Sequence, residues 1–259
     1  MTLFHALTLG IIEGLTEFLP ISSTFHLIFA SKILNLAQTD FLKLFTVVIQ
    51  AGAILAVITQ CINTLRQDHN LLKKLMVSFV PTGLVGFLFY KIIKNVLFES
   101  QGLMLITFAS VGVLFLIYEN FLKAKKINLK KTLAEISWQE ALVIGFVQSS
   151  AIIPGVSRAG AVILGLMMLG FRRDEAATYS FLLAVPTIAA AAGFDLLKNF
   201  SNIASYNNGE VLLLFAGFIT AFLSALVVVR WFVKYLKRKS LAVFGWYRLT
   251  AALFLVTLF

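Results

Sequence analysis

Charge is scarce in this sequence: Asp, Glu, Lys and Arg together make up 13% of the 259 residues. Soluble domains carry about 25% charged and roughly 45–50% apolar residues. Here the apolar share is 59% and the mean hydropathy +0.92, which excludes an ordinary soluble domain. Cysteine is nearly absent. Cys61 stands alone, so an intramolecular disulfide and a cysteine-based metal cluster are excluded. Long polar stretches are missing too: the longest, from Lys123 to Glu140, is too short to fold alone. The opening MTLFHALTLG lacks a basic segment and a small-residue cleavage site, so no signal peptide is expected.

What is there instead is a series of apolar runs near the ~20 residues that span a bilayer. They cover Phe41–Gln60, Leu75–Leu97, Leu103–Leu122, Ala176–Leu197, Val211–Val229 and Leu241–Phe259. Phenylalanine, at 25 residues, suits lipid-facing and packing surfaces. The formal charge of +10 comes from short basic loops beside these runs: Arg66, Lys73 and Lys74; Lys123 to Lys131; Arg172 and Arg173; and Arg230 to Lys239. That is the positive-inside pattern of a membrane protein, and it argues against a nucleic-acid partner.

Placing those loops in the cytoplasm fixes a threading. Phe41–Gln60 runs inward, Leu75–Leu97 outward and Leu103–Leu122 inward. Trp138–Gly170, broken at Pro154-Gly155, has basic residues at both ends, so it fits a re-entrant helical hairpin better than a single crossing. The last three runs go outward, inward and outward. By the same count the segment before Phe41, broken at Pro20-Ile21-Ser22-Ser23, forms a second hairpin from the opposite face, and both termini lie outside. The expected fold is all-α, with six transmembrane helices and two re-entrant hairpins in one membrane domain. GIIEGLTEFLPISST from Gly10 and GFVQSSAIIPGVSRA from Gly145 match weakly, with Glu13 opposite Gln148 and Pro20/Ser23 opposite Pro154/Ser157. Repeat halves of about 1–122 and 138–259 with opposite threading are the pattern of inverted-topology folds.

The polar groups at the two breaks call for a function. Non-helical backbone at membrane depth is tolerated only against protein or a water-filled cavity, and intramembrane charges mark functional sites by default. Glu13 and Glu17, at i and i+4, share one helical face. Like charges so placed repel, so one takes up a proton or a cation sits between them. A hard divalent ion would use carboxylate oxygens, waters and substrate phosphates. His26 lies beyond the proline break, where the hairpin can fold it back. Arg158, between two broken half-helices, is the planar donor suited to phosphate oxygens. Each group has a plainer reading. The glutamates could form an interfacial helix face, the serines could cap a helix, and Arg158 could snorkel to a headgroup. Their joint occurrence at two matching breaks favours a phosphorylated substrate and nucleophilic or general-acid chemistry.

EGLTEFLPISSTFHL, VVIQAGAILAV, PGVSRAGAVI and YSFLLAVP resemble the bacterial undecaprenyl pyrophosphate phosphatases, the bacitracin-resistance family. The resemblance runs from about Gly10 to the C-terminus. It implies hydrolysis of a C55 isoprenyl pyrophosphate to the monophosphate, which recycles the cell-wall lipid carrier and confers bacitracin resistance. It also implies an outward-facing site in the bacterial plasma membrane and dependence on a divalent cation, Mg²⁺ or Ca²⁺. The partners would be the polyprenyl pyrophosphate lipid, the membrane and, as a candidate, a second copy of the chain.

By position, Glu13 and Glu17 match the family's paired acids, near metal or catalytic water. Ser22, Ser23 and His26 match its first loop, with Ser23 or His26 as nucleophile or proton-transfer residue. Ser157 and Arg158 match its second loop, where the arginine would hold the pyrophosphate; Gln148 stands at a position the family keeps polar. The chain departs at Phe25 (usually glycine), at Thr46 and Thr178 (usually glutamate), and at Ala159 and Val162, where the family has hydroxyls. Those departures leave a second reading open, a non-hydrolytic member that binds or moves a polyprenyl phosphate.

Overall fold

The computed structural model describes residues 1–89, 100–198 and 206–258, and among these every regular element is helical. The chain breaks expected from the sequence are where the helices stop. α1 (Leu3–Thr16) and α2 (Ser23–Ile33) flank the first, and α6 (Trp138–Ser149) and α7 (Arg158–Met168) flank the second. The longer helices are α3 (Asp40–Gln67), α4 (His69–Leu88), α5 (Gln101–Ala124), α8 (Arg173–Lys198) and α9 (Asn208–Leu236). α10 (Ala242–Leu258) is shorter, at 17 residues. The tail of the expected run Leu75–Leu97 beyond Phe89, and Phe259, lie outside the described residues.

Five helices, α3, α4, α5, α8 and α9, are long and apolar enough to cross a membrane, as expected of a polytopic membrane protein. Their starts are set locally. Asp68 caps α4 by accepting from the Leu71 amide at 2.8 Å, and Ser100 caps α5 through the Leu103 amide at 3.3 Å. Ser137 with Glu140, and Asn207 with Glu210, form capping boxes that start α6 and α9.

Lipid chains are as apolar as leucine, so membrane helices pack through close contact of small residues rather than by escape from water. α1 packs on α9 in this way: a Cβ on Gly10 would sit 2.7 Å from the Gly217 carbonyl oxygen, and one on Gly14 2.6 Å from Ser224 Cβ. α6 packs on α4 likewise, where a Cβ on Gly145 would sit 2.5 Å from the Ser78 carbonyl oxygen. Each broken pair thus leans its first arm on a long helix of the other half. α3 against α8 and α5 against α10 complete the bundle.

Candidate active site

The two breaks meet. Glu17 is the C-cap of α1; Ser22, at φ 65°, leads into α2, and Ser23 is its first residue. In the other half Ser157, at φ 73°, leads into α7, which Arg158 opens. Positive φ is uncommon outside glycine, and here it recurs at corresponding points. An offset of 135 residues pairs Gly10 with Gly145, Glu13 with Gln148 and Ser22 with Ser157. The two left-handed serines share that offset, whereas the prolines Pro20 and Pro154 are 134 residues apart.

Glu17, Ser22, Ser23, Ser157 and Arg158 line a single cleft of about 140 Å³. Glu17 is its hub. One carboxylate oxygen accepts the Ser23 hydroxyl, and the other accepts Arg158 Nη2 at 3.1 Å. The ion pair is nearly buried, with 12% of the arginine and 7% of the glutamate side chain exposed. Arg158 Nη1 and both Glu13 carboxylate oxygens are buried without a hydrogen-bond partner among the described residues. A buried charged group left unpaired is costly, so these atoms suit a ligand: phosphate oxygens for the guanidinium, a cation or water for Glu13. The residues fit a hard divalent ion of this kind. Among the described residues no group of three His, Cys, Asp or Glu gathers, so most of the oxygen ligands would come from substrate phosphates and water.

Glu13, His26 and Gln148 do not line this cleft. The Nδ1 of His26 lies 2.8 Å from the Ser22 carbonyl, which can only accept, so it carries the proton. In the neutral ring Nε2 then accepts the Tyr247 hydroxyl at 2.6 Å. Gln148 is buried and donates to the Thr82 and Thr187 hydroxyls at 2.9 and 3.2 Å. Three residues that sequence reasoning passed over take part. Gln50 of α3 lines the cleft, and the signal was there: it is the sole polar side chain in VVIQAGAILAV. Tyr247 holds His26. Arg248, fully buried in α10, donates to the carbonyls of Phe108 (2.8 Å), Pro20 (3.0 Å) and Gly155 (2.5 Å). It fastens both loop tips to α5, and a lone arginine inside an apolar run was its signal.

Residues 6–254 match the family described as Bacitracin resistance protein BacA. Curated relatives named undecaprenyl-diphosphatase include one from Aquifex aeolicus, 43% identical over 98% of this chain and 97% of its own length. Another, from Campylobacter fetus, is 44% identical over 96% of each chain, and one from Methanococcus aeolicus 40% over 100% and 99%. The chain belongs to the bacitracin resistance protein family.

Its departures from that family's usual residues have local explanations. Phe25 turns its ring away from the cleft and stacks on Phe108 at 3.7 Å and 1°. Arg248 lies 4.4 Å from the Phe108 centroid. Phe25 already occupies one face of that ring, so Arg248 takes the other, and Phe108 is sandwiched between them. Ala159 and Val162 are buried in the main apolar core, where hydroxyls would need partners. Thr46 and Thr178 bond back to their own helices, at Lys43 and Asp174, and line no part of the cleft. None of these changes removes a group from the Glu17–Ser23–Arg158 cluster. The non-hydrolytic reading is therefore not favoured, and the relatives are named for hydrolysis.

Proposed function

We propose that the protein is an integral membrane phosphatase that hydrolyses undecaprenyl pyrophosphate to the monophosphate and phosphate, so recycling a lipid carrier of the cell wall. The observation that carries the reading is Glu17 held between a serine hydroxyl and an arginine. Arg158 binds the diphosphate through Nη1, which has no partner among the described residues. Ser23, whose hydroxyl already donates to Glu17, is the better-placed nucleophile than His26, whose two ring nitrogens are engaged by the Ser22 carbonyl and the Tyr247 hydroxyl. The Ser23 oxygen attacks the terminal phosphorus as its proton passes to Glu17. The bond to the bridging oxygen breaks, Glu17 returns the proton to that oxygen, and the lipid monophosphate leaves. Glu17, again a carboxylate, takes a proton from water as the water oxygen attacks the phosphoserine; the serine–phosphorus bond breaks, phosphate leaves and Ser23 regains its proton from Glu17. Ser22 and Ser157 offer hydroxyls to the phosphate head. Glu13, with Glu17 beside it, would hold a divalent ion, which would neutralise phosphate charge.

The proposed threading is the six-crossing one, with the α1–α2 and α6–α7 pairs as re-entrant hairpins of an inverted repeat and the site on the outer face of the plasma membrane. It is supported by the reciprocal packing of α1 on α9 and α6 on α4 and by the paired turns at Ser22 and Ser157. α10, at 17 residues or about 25 Å, is close to the ~30 Å of a bilayer core and would be the sixth crossing.

The test is phosphate release from an isoprenyl pyrophosphate by purified protein in detergent, with and without EDTA. Ser23→Ala and Glu17→Gln should each fall by about 100-fold or more, as expected when a nucleophile or its base is lost. Unchanged turnover in Ser23→Ala would remove it as nucleophile, and release insensitive to EDTA would remove the divalent ion.

A further inference from the structure

A second cavity lies at the other end of the molecule. It encloses about 640 Å³ between the end of α5, the loop after it and the starts of α8 and α10. Phe108, which abuts the loop tips through Arg248, is fifteen residues up α5 from Lys123, or roughly 22 Å of helix. This cavity is therefore separate from the phosphatase cleft.

Its chemistry is one-sided. The acid in its wall, Glu119, is 8% exposed and already satisfied: Arg173 donates to it at 2.8 and 2.5 Å, and the Leu241 amide at 2.8 Å. That contact joins α5, α8 and α10 into a fixed floor and cancels the Arg173 charge. Lys123 and Lys126, also in the wall, form no ion pair among the described residues. The left-handed turn at Lys126 (φ 51°) ends α5 there. The net character of the polar end is cationic.

The opposite end is apolar. Leu116 lies seven residues before Lys123, about 10 Å up α5. Beside it Trp246 is 62% exposed and Val243 60% exposed, on the outward surface of α10. A soluble anion would need only the lysines. A cavity that runs from two cations to an apolar wall with exposed Trp246 matches a phosphate attached to acyl chains, and basic pockets between membrane helices are a recurrent form of anionic lipid site.

We propose that this cavity binds the phosphodiester headgroup of an anionic phospholipid, with Lys123 and Lys126 on the phosphate and Trp246 against the glycerol and upper acyl chains. On the threading given above, that lipid belongs to the cytoplasmic leaflet; binding in detergent does not depend on that assignment.

The test is native mass spectrometry of the full chain in detergent, with phosphatidylglycerol or phosphatidylcholine added. Wild type should retain phosphatidylglycerol in preference to phosphatidylcholine. Lys123→Gln/Lys126→Gln should weaken that retention on the order of tenfold, from the loss of two near-surface cations. Lys125→Gln/Lys130→Gln removes the same charge from neighbouring positions outside the cavity wall and should retain the lipid as wild type does. Equal loss in both double variants, equal retention of phosphatidylcholine, or displacement by millimolar inorganic phosphate would each overturn the proposal. Phosphate release in detergent should be unaltered in both double variants, so failure here and failure of the phosphatase reading are separate results.

Discussion

At the scale of single residues, Arg158 splits into two nitrogens with different surroundings, and the proposed clamp rests on that difference. Nη2 is committed to Glu17, while Nη1 is buried without a partner among the described residues. Lysine keeps the charge but cannot address two groups through a rigid fork. Arg158→Lys should therefore keep the ion pair with Glu17 and lose the contact to phosphate. The expected outcome is a KM raised about tenfold or more, the worth of a charged hydrogen bond, with a smaller fall in kcat. Steady-state kinetics on wild type and variant checks this, and an unchanged KM would remove Arg158 as the phosphate clamp. Phe25 makes the complementary case. It touches no part of the cleft, yet its ring supports Phe108, which in turn backs Arg248. Phe25→Ala should cost about 3–5 kcal/mol of stability, as for other buried phenylalanines. Thermal unfolding in detergent would register that loss, and a variant as stable as wild type would contradict the packing described.

At the scale of elements, the broken helices depend on glycines that admit a neighbouring backbone. A Cβ at Gly14 would approach the Ser224 Cβ to 2.6 Å and the Ala225 amide nitrogen to 2.9 Å. Neither can retreat without moving α9. Gly14→Val should displace α1, which carries Glu13 and leads to Glu17, at a cost of about 1–3 kcal/mol or more. A Cβ on Gly102, at the start of α5, would meet no atom of another element within 4 Å among the described residues, so Gly102→Ala should be harmless. Comparing the two by thermal unfolding and phosphate release separates a close helix seam from a general dislike of substitution. Much of this layer was legible in the sequence. The breaks at Pro20–Ser23 and Pro154-Gly155, and each long helix, announce themselves through apolar length and interruption. Which helix meets which was not legible, because the small-residue seams lie between distant segments and a Gly-x-x-x-Gly spacing does not name its partner. The turns at Ser22 and Ser157 were hidden for a related reason: prolines are visible in a sequence, whereas a positive φ at serine is not.

At the scale of the whole molecule, the question is what keeps two half-sites from opposite ends of the chain in register. Ser23 and Arg158 meet only if both loop tips stay fixed, and the ion pair to Glu17 is too small a fastening to do that alone. Arg248 supplies the common anchor, since its guanidinium holds the carbonyls of Pro20 in the first loop and of Gly155 and Val156 in the second, with Phe108 behind them. A lone arginine in the last apolar run marks a role, but its loop partners lie about 90 residues away or more, so nothing local names them. Thr107, which donates to the Pro154 carbonyl, ties only the second loop. Arg248→Met keeps much of the side-chain volume but leaves buried carbonyls unsatisfied, a loss of about 3–5 kcal/mol by analogy with breaking a buried charged contact. Arg248→Lys retains one cation with a single attachment point, so it can hold one loop but not both. If Arg248 is the register pin, Arg248→Lys should fold, bind the lipid diphosphate with near-normal KM and lose kcat, because the arginine clamp survives while the Ser23 attack geometry is lost. A purely structural role predicts instead that kcat tracks stability in both variants. Measuring unfolding temperature, KM and kcat for the pair distinguishes the two, and a Lys variant with wild-type kcat would show that the loops find their register without it.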